Sequence, residues 1–422
     1  MNHFKTRREF IRNVGLAAGA STVGSAIPWM NILAQSPQKA NLPAAETVNI
    51  GIIGTGSRGS KLLQHLQLVP GVNIVTLADN YPPHLKKALA LTDNKAKGYS
   101  SYQKLLEQKE IDGVIISTPI YNHREITVAA LQAGKHVLCE KALANTVENA
   151  KLMVEAHRAT GKNLQIGHQR MFDLKYLKGL EKVLNHEFGE ITHIRSNWYI
   201  NSSWRKPNIP PGMEKQLNWR MHAEQCHGLM SELACHITQV ANWFIGDIPE
   251  YAVGSGSINY YKDGRTTYDN VNVIYQYPNG VNFAFNAGLT NWHYGLEEQV
   301  MGPKATMELE KGIYYLQNPP PAPGIKQLIS DLEKSVFETV PIGGASWIVK
   351  SGNDLKGELL VDKYPLPDST TLELEAFVNS IRDNKQIPEV LEQAYYGTVA
   401  AILGQYAMEK REAVYLTEEM KI

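Results

Sequence analysis

Cysteine is scarce in this 422-residue chain, and its charges cancel. The cysteines, Cys139, Cys226 and Cys235, follow no spacing typical of a disulfide framework, so stability must come from a large hydrophobic core. Lys and Arg together number 42, as do Asp and Glu, and the formal net charge is zero. The sequence has no basic stripe of the kind that binds nucleic acid, and it has no charged tail that would bind an oppositely charged partner. We therefore expect a small-molecule partner.

Long apolar runs are also missing, which argues against a membrane span. The mild apolar run "VGLAAGASTVGSAI" (14–27) is shorter than the roughly 20 residues that a spanning helix needs. It follows the basic stretch "KTRREFIR", which resembles a twin-arginine export signal. We predict an export signal peptide over 1–35 and a periplasmic protein, with a disordered basic arm as the alternative. The polar, Pro- and Ala-rich segment 36–46 is predicted to be a linker.

After the linker, a short β-branched run, "TVNIGIIG", leads into the glycine-rich turn "GTGSRG" and then into a helical period. Strand, turn and helix in this order are typical of a dinucleotide-binding unit. Gly54 permits the tight turn, Gly56 lets the backbone approach a pyrophosphate, and Gly59 allows close helix–strand packing. Ser57 and Arg58 are expected to add phosphate contacts at the helix N-terminus.

A second predicted strand, "VNIVTLAD", ends in Asp79, twenty residues beyond Gly59. A carboxylate at this place accepts hydrogen bonds from ribose hydroxyls and repels a 2′-phosphate. The sequence therefore predicts NAD as the cofactor, with NADP less favoured.

Strands and helices continue to alternate, which predicts a parallel doubly wound sheet with its ligand beyond the carboxyl ends of the strands. The segments 117–123, 139–141 and 167–170 follow such strand ends and are expected to line one crevice. For His123 and His168, a substrate contact or the closing of a turn remains an alternative to a cofactor contact. The expected cofactor contacts are Thr118, Pro119, His123, Glu140, Lys141 and His168.

Several motifs in order resemble the Gfo/Idh/MocA family of sugar oxidoreductases. "TPIYNH" resembles the family's TP-x-x-x-H loop, and "GKHVLCEKA" its GK-x-V-x-x-EKP segment. "HGLMSELACHITQVANWFIG" resembles its GG-x-x-x-D-x-x-x-H-x-x-D helix, and "ELEAFVNSIRDNKQIPEV" a C-terminal helix that returns toward the nucleotide domain. The resemblance covers residues 47–415, almost all of the chain beyond the linker.

The resemblance implies an α/β protein with two domains. An N-terminal Rossmann domain with a doubly wound parallel sheet is expected over 47–168. A C-terminal α+β domain with a large, mostly antiparallel sheet is expected over 169–365, with a loop insertion at 318–350. A helix and a strand over 366–422 are expected to return toward the Rossmann domain. The open face of the large sheet implies a homodimer or homotetramer.

The resemblance also implies the catalytic residues. Lys141 and His236 are the family's pair at the carbinol, the lysine steering charge on oxygen and the histidine taking the hydroxyl proton. Glu232, four residues before His236, is expected to orient the imidazole or bind a sugar hydroxyl. Ala142 replaces a family Pro, Glu232 a family Asp, and Gln239 a second Asp. These departures favour a subfamily with altered substrate geometry.

Aromatic residues in the second predicted domain suggest a sugar platform. Trp204 and Trp219 adjoin arginines in an irregular stretch, where a ring can stack on the apolar face of a sugar. Arg220 would then hold the hydroxyl groups. The expected substrate contacts are Lys141, Trp204, Trp219, Arg220, Glu232 and His236.

A metal site is the alternative for the histidine-rich part of the same stretch. The side chains of His222, Cys226, His227, Glu232 and His236 are of metal-binding types. Their spacing is neither that of a zinc ribbon nor that of an HExxH helix, so no metal is predicted.

These observations predict an NAD-dependent oxidoreductase acting on a ring hydroxyl of a sugar or glycoside. An exported enzyme has no NAD pool to exchange with, so the cofactor must be held tightly. One alternative is an NAD-dependent glycosidase similar to the α-N-acetylgalactosaminidases of this fold, in which transient oxidation permits elimination, hydration and reduction. Another is a non-catalytic sugar-binding protein.

Overall fold

The structure, a computed structural model, describes residues 47–317, 357–362 and 365–422. The predicted signal over 1–35, the linker over 36–46 and the insertion over 318–350 lie outside the described residues.

The first domain alternates parallel strands with helices, as predicted. Its six strands stand in the order β3-β2-β1-β4-β5-β6, and all their pairings are parallel. The order reverses at β1, so the ends of β1 and β4 form the switch point at which such sheets bind ligands. The strands are β1 (Val48–Ile53), β2 (Val72–Ala78), β3 (Lys97–Tyr99), β4 (Gly113–Ile116), β5 (His136–Glu140) and β6 (Leu164–Gly167). The helices are α1 (Ser57–Leu66), α2 (Pro82–Leu91), α3 (Tyr102–Leu106), α4 (His123–Gln132) and α5 (Val147–Thr160).

The strands of this sheet are apolar because helices cover both of its faces. Every residue of β4 and β5 is buried. On one face α1 contributes Leu62, Leu63 and Leu66 to the core. Side-chain alternation is therefore absent from these strands, which is the pattern of a sheet buried on both sides.

The second domain is built on a large sheet. Among the described residues its nine strands follow the order β14-β13-β12-β11-β7-β10-β9-β8-β15. Neighbours are antiparallel except β7 and β10, which run parallel. The strands are β7 (His193–Tyr199), β8 (Tyr251–Ser257), β9 (Asn270–Gln276), β10 (Asn282–Gly288), β11 (Leu296–Met301), β12 (Ala305–Glu308), β13 (Ile313–Leu316), β14 (Gly357–Leu359) and β15 (Val414–Tyr415).

The second domain also contains helices between β6 and β8. They are α6 (Leu174–Leu184), the short α7 (Glu214–Leu217) and α8 (Cys235–Ile245), which a π-helical turn over Met230–Ala234 precedes. The predicted hairpin is present as β9 and β10, and its inward residues include Tyr275 and Phe283, whose rings stack. Along both strands buried and exposed residues alternate, as expected for a sheet with one covered face.

The chain ends in two helices rather than in the single helix that the motif suggested. They are α9 (Ser369–Arg382) and α10 (Pro388–Lys410). Asn384 has a left-handed backbone, and Pro388 begins the second helix, so the path breaks between them. Helix α9 packs on the first domain through Leu374 and Phe377, whereas β15 pairs with β8 in the second sheet. No helix in the described part of the chain has the length and apolarity to cross a membrane.

Candidate active site

A cleft of about 640 Å³ lies between the two domains, at the carboxyl ends of the strands of the first sheet. This volume is in the range of small-molecule sites. The first domain lines it with the glycine-rich turn, the end of β2, the loop after β4 and the end of β5. The second domain lines it from the opposite side. The expected site residues that line the cleft are Gly54, Gly56, Ser57, Arg58, Asp79, Thr118, Pro119, Glu140, Lys141, Trp219, Arg220, Glu232 and His236.

The glycine-rich turn has the geometry that a pyrophosphate needs. Gly54 has φ +85°, and a Cβ there would lie 2.8 Å from the backbone of Ser117. A Cβ on Gly59 would lie 2.0 Å from the Gly54 carbonyl oxygen, so α1 packs directly on the turn. Gly56 faces the cleft, where the nearest atom to an added Cβ is 3.5 Å away, on His84. No side chain caps the N-terminus of α1, which leaves its first N–H groups available to an anion.

Asp79 stands at the end of β2 and is held in place by the backbone. Its Oδ2 accepts a hydrogen bond from the Thr55 N–H at 2.7 Å, and its Oδ1 accepts one from the Tyr81 N–H at 2.8 Å. Burial alone would raise the pKa of Asp79, but His84 and these N–H groups outweigh it and hold the pKa below its usual value. The site thus presents an ionised acceptor of the kind that binds ribose hydroxyls.

Arg58 joins the first turn of α1 to the end of β5. Its Nε donates to Glu140 Oε1 at 2.6 Å, and the Glu140 side chain is buried. Burial alone would lower the pKa of Arg58, but the charges of Glu140 and Glu373 outweigh it and raise the pKa. Part of Arg58 remains exposed in the cleft, next to Ser57. The pair therefore fixes a cation beside the predicted phosphate position.

Lys141, Glu232 and Arg220 form an ion cluster at the far end of the cleft, which we call the cleft cluster. Lys141 Nζ donates to the Glu232 main-chain oxygen at 2.9 Å and lies 3.7 Å from its Oε1. Arg220 Nε donates to Glu232 Oε2, and its guanidinium lies 4.3 Å from the centre of the Trp219 ring. Burial alone would raise the pKa of Glu232, but Arg220 and Lys141 lower it, so this carboxylate is ionised.

His236 lies beside this cluster and is held neutral. Burial, and then the positive charges of Lys141 and Arg170, lower its pKa well below the usual value. Its Nδ1 is buried with no hydrogen-bond partner among the described residues. The rings of His168 and Trp198 pack against it, with centroids 5.7 and 5.9 Å away. A neutral imidazole that faces a cleft can accept a proton from a bound hydroxyl group.

Glu232 does not orient His236, contrary to one of the two expectations from the sequence. Residues 230–234 form a π-helical turn, so the regular i, i+4 spacing does not hold across them. The Glu232 carboxylate pairs with Arg220 and Lys141 instead. Its other expected role, a contact with a sugar hydroxyl, is compatible with its position on the cleft wall.

The remaining expected residues lie outside the cleft wall. The His123 ring nitrogens lie 2.9 Å from the carbonyl oxygens of Ala142 and Thr118, so this histidine joins two loops of the site. The peptide bond between Lys141 and Ala142 is cis. His168 is fully buried behind His236, and burial lowers its pKa to about 3.

Trp204 also departs from expectation. It has a left-handed backbone with φ +61° and packs against the core of the second domain, not into the cleft.

The metal-binding side chains of 222–236 do not converge. His227 Nε2 contacts the Asn145 carbonyl oxygen, Cys226 lies near the carbonyl oxygens of Trp219 and Arg220, and Glu232 is paired with cations. Among the described residues, no group of three or more His, Cys, Asp or Glu side chains is placed to hold a metal ion.

Sequence reasoning missed some residues that line the cleft from an irregular segment. Lys206 and Gln216 belong to the second domain, and Gln216 Nε2 donates to Asn80 Oδ1 across the cleft at 2.8 Å. No motif marks these positions. The one sequence signal for Lys206 is its position between Trp204 and Trp219, the two tryptophans predicted to contact substrate.

Each of the two domains matches a model of a known protein family. Residues 48–168 match the model "Oxidoreductase family, NAD-binding Rossmann fold" of the GFO/IDH/MocA proteins. Residues 176–308 match the model of the GFO/IDH/MocA C-terminal domain. Together the two matches cover more than half of the chain.

Curated relatives fall into two groups. The chain is 32% identical over 173 residues to an inositol 2-dehydrogenase of Salmonella typhimurium, a match over 40% of this chain and 52% of that protein. It is 29% identical over 231 residues to a glycosyl hydrolase family 109 protein of Shewanella pealeana, over 51% of this chain and 50% of that protein. The chain thus spans about half the length of these relatives.

Solved structures share the whole fold. A levoglucosan dehydrogenase in complex with NADH and levoglucosan superposes with a TM-score of 0.69 at 16% identity, covering 88% of this chain and 100% of that one. The aldose–aldose oxidoreductase of Caulobacter crescentus, complexed with glycerol, gives a TM-score of 0.66 at 17% identity over 88% and 100%. At these identities the likeness establishes the fold alone.

Proposed function

Because the chain belongs to the Gfo/Idh/MocA oxidoreductase family, we propose that it oxidises a ring hydroxyl of a sugar or glycoside with a tightly held NAD. One observation carries the proposal. The cleft that begins at the glycine-rich turn and Asp79 ends at Lys141, His236 and Glu232, so a dinucleotide site and a proton-transfer site are continuous. When bound, the nicotinamide supplies the acceptor for a hydride from the carbinol carbon.

The residues of the chain divide the remaining work. His236, neutral at physiological pH, takes the hydroxyl proton on its imidazole. The Lys141 ammonium group hydrogen-bonds the same substrate oxygen and stabilises the charge that develops on it. The Glu232 carboxylate, fixed by Arg220, accepts a hydrogen bond from a neighbouring sugar hydroxyl. Trp219 and the stacked Arg220 form the wall on which the ring rests.

NAD is preferred to NADP in this proposal because of Asp79. Its carboxylate is ionised, lies at the end of β2 and would repel a 2′-phosphate. Isothermal titration of nucleotide-free protein with NADH and NADPH tests this preference. Tighter binding of NADPH would contradict it.

A glycosidase is the second candidate, favoured by the match to a glycosyl hydrolase family 109 protein. In that reaction the oxidised sugar loses its leaving group by elimination, takes up water and recovers the hydride, with no net redox change. The same lysine and histidine would serve the oxidation, and Glu232, which lines the cleft, is our candidate for the base that acts on a neighbouring C–H.

One experiment separates the candidates. Purified protein is incubated, without added NAD, with a panel of sugars, glycosides and nitrophenyl glycosides, while released aglycone and keto-sugar are both measured. Keto-sugar formed in step with an electron acceptor supports the dehydrogenase, and aglycone released without net keto-sugar supports the glycosidase. The Lys141→Met variant is the control for background hydrolysis. If heat-denatured protein releases no nucleotide and no substrate turns over, the chain is a sugar-binding protein or has another function.

We also propose that the protein is exported with NAD already bound, which the twin-arginine-like sequence over 1–35 supports. That route moves folded proteins, and tight retention replaces exchange with a cytoplasmic pool. Cell fractionation of the wild type and of the Arg7→Lys/Arg8→Lys variant tests it. We expect periplasmic protein that contains NAD, and cytoplasmic retention of the variant. Periplasmic protein without nucleotide would contradict retention.

A further inference from the structure

An irregular segment of the second domain, residues 205–220, crosses the cleft, and we call it the strap. It lies between β7 and the π-helical turn, and it contains the short helix α7. Lys206, Gln216, Leu217, Trp219 and Arg220 line the same cleft as the glycine-rich turn. The strap contacts Asn80, directly after Asp79, through Gln216, and it contacts Glu232 of the cleft cluster through Arg220.

Ion pairs and hydrogen bonds give the strap a fixed shape on its own domain. Arg205 binds Glu214 within the strap and donates from Nε to Asp263 Oδ2 at 3.2 Å. Arg265 holds the same aspartate at 2.8 Å. Asn218 accepts from the Lys206 N–H at 2.8 Å, which closes the segment on itself. These contacts bring Lys206 and Gln216 to the cleft as parts of one unit.

The strap also contacts the nucleotide-binding domain. Gln216 Nε2 donates to Asn80 Oδ1 at 2.8 Å, directly after Asp79. Lys206 lies within electrostatic reach of both Asp79 and Arg220. Partial burial and then the Arg220 charge lower its pKa, whereas Asp79 opposes this. Lys206 lines the same cleft as Asp79 and Arg220, so its ammonium group is available to the phosphates of a dinucleotide whose ribose binds at Asp79.

We propose that the strap closes over the dinucleotide, with Lys206 binding its pyrophosphate from the side opposite α1. The inference rests on the proposed function, because it requires a dinucleotide in this cleft. The α1 N-terminus binds the phosphates with N–H groups, and Lys206 supplies an exposed cation to the same two charges. Release of the cofactor then requires the loss of the Lys206 contact and of the Gln216–Asn80 hydrogen bond. This closure explains how NAD stays bound through repeated turnovers.

The test measures release of NADH from the full-length protein. Protein loaded with NADH is mixed with lactate dehydrogenase and pyruvate, which consume each released NADH, and nicotinamide fluorescence reports the dissociation rate. We expect Lys206→Met to dissociate about tenfold faster, as for the loss of one charge-assisted hydrogen bond. Lys215→Met is the matched control, because Lys215 lies in the strap, is exposed and pairs with Glu224 at 3.1 Å. The control should dissociate at the wild-type rate.

The hydrogen bond across the cleft has its own test. Gln216→Ala and Asn80→Ala should each accelerate NADH release, and the double variant should release NADH no faster than either single variant, because one contact is lost in all three. Additive effects would contradict the contact. Thermal unfolding without nucleotide should match the wild type in each variant, which separates loss of contact from loss of fold.

Two results overturn the inference in distinguishable ways. If the wild type binds NADH but Lys206→Met and Lys215→Met release it at the same rate, the strap has no holding role and the proposed function stands. If the wild type itself binds no NADH, both the inference and the proposed function are wrong.

Discussion

Glu232 and Glu298 are both buried and both paired with an arginine, but they belong to different regions of the second domain. Glu232 lies in the cleft cluster with Arg220 and Lys141. Glu298 lies on β11, where Arg170 Nε approaches it at 3.3 Å. The pKa of Glu232 is lowered, whereas burial, opposed by Arg170 but reinforced by Glu310, raises the pKa of Glu298 to about 7.

The number of charges in each cluster explains the difference. Glu232 shares two cations, so its burial is compensated. Glu298 shares one arginine with Glu310, and the Tyr176 hydroxyl contacts both carboxyl groups. One hydroxyl proton cannot serve two carboxylates, so a proton on Glu298 completes the hydrogen bonds. We call Arg170, Tyr176, Glu298 and Glu310 the scaffold cluster.

The net charge and the position of each cluster indicate which of the two can bind a reacting oxygen. The cleft cluster carries one net positive charge and faces the cleft, where an oxygen that becomes negative would be stabilised. The scaffold cluster neutralises itself with a proton, and none of its four members lines the cleft. It supports Trp198, whose ring lies 5.1 Å from the Arg170 guanidinium and packs against His236. We therefore expect substrate contacts at the cleft cluster and a structural role for the scaffold cluster.

The largest effect is expected from a substitution that breaks the cleft cluster. Lys141→Met removes the ammonium group that the proposed function assigns to the substrate oxygen and should lower kcat/KM about a hundredfold to a thousandfold. Lys175→Met is the matched change at the scaffold cluster, where Lys175 Nζ donates to the Glu310 main-chain oxygen at 2.9 Å. Its kcat/KM should stay within about twofold of the wild type. Steady-state assays on the best substrate of the panel check both values, and equal losses would show that the two clusters do not differ in function.

The next effect is on stability and concerns the proton of Glu298. Its folded pKa lies above the usual 4.5, so between pH 4.5 and about 7 the folded state keeps a proton that the unfolded state releases. This contribution to the free energy of unfolding is complete below pH 4.5 and is lost as the pH rises through about 7. Glu298→Gln should remove a loss on the order of 3 kcal/mol across this window.

Urea unfolding of Glu298→Gln and wild type at pH 4.5 and pH 8 measures this difference. The comparison between variants is needed because buried histidines with lowered pKa, such as His168, change stability in the opposite direction over the same range. Glu232→Gln is the control, since the lowered pKa of Glu232 confines the pH dependence of its contribution to values below 4.5, and the contribution itself is constant above that pH. If both variants gave the same pH-dependent difference, the contrast between the two glutamates would be wrong.

A smaller effect sharpens the role of Arg220. Its Nε binds Glu232 while its guanidinium stacks on Trp219, and a lysine cannot do both. Arg220→Lys should therefore raise KM about tenfold with little change in kcat. The melting temperature should change little, because about a third of the Arg220 side chain is exposed. A loss confined to kcat would place Arg220 in the chemical step instead.

Much of the nucleotide side of the cleft could be predicted from the sequence because its signals are local. A strand, three spaced glycines and a helix are contiguous, and Gly54 and Gly59 have the close contacts that the pattern requires. The ends of parallel strands meet at one edge, which brings Asp79, Thr118 and Lys141 together without further information.

The parts of the site that lie in the second domain could not be predicted in this way, because they depend on contacts between distant residues and on irregular backbone. Glu232 was expected beside His236 on a regular helix. No feature of the segment "MSELA" predicts the π-helical turn that changes this spacing. Lys206 reaches the cleft from the strap, whose path depends on Arg205 and Asp263, 58 residues apart. Arg170 and Glu298 are separated by 128 residues, so no local pattern predicts the scaffold cluster.

The smallest expected effect lies where the two clusters meet, at His236. After burial, the cations that lower its pKa most are Lys141 from the cleft cluster and Arg170 from the scaffold cluster, followed by His168 and Arg58. The imidazole should therefore remain neutral well below pH 6.5, and NMR titration of histidine-labelled protein, with His236→Asn to assign the signal, measures this. Lys141→Met removes the cation with the largest effect, so the midpoint of His236 should rise, while that of fully buried His123, for which Lys141 is the smallest of the causes, should move less. An unchanged His236 midpoint in this variant would mean that Lys141 has no influence on the protonation of His236.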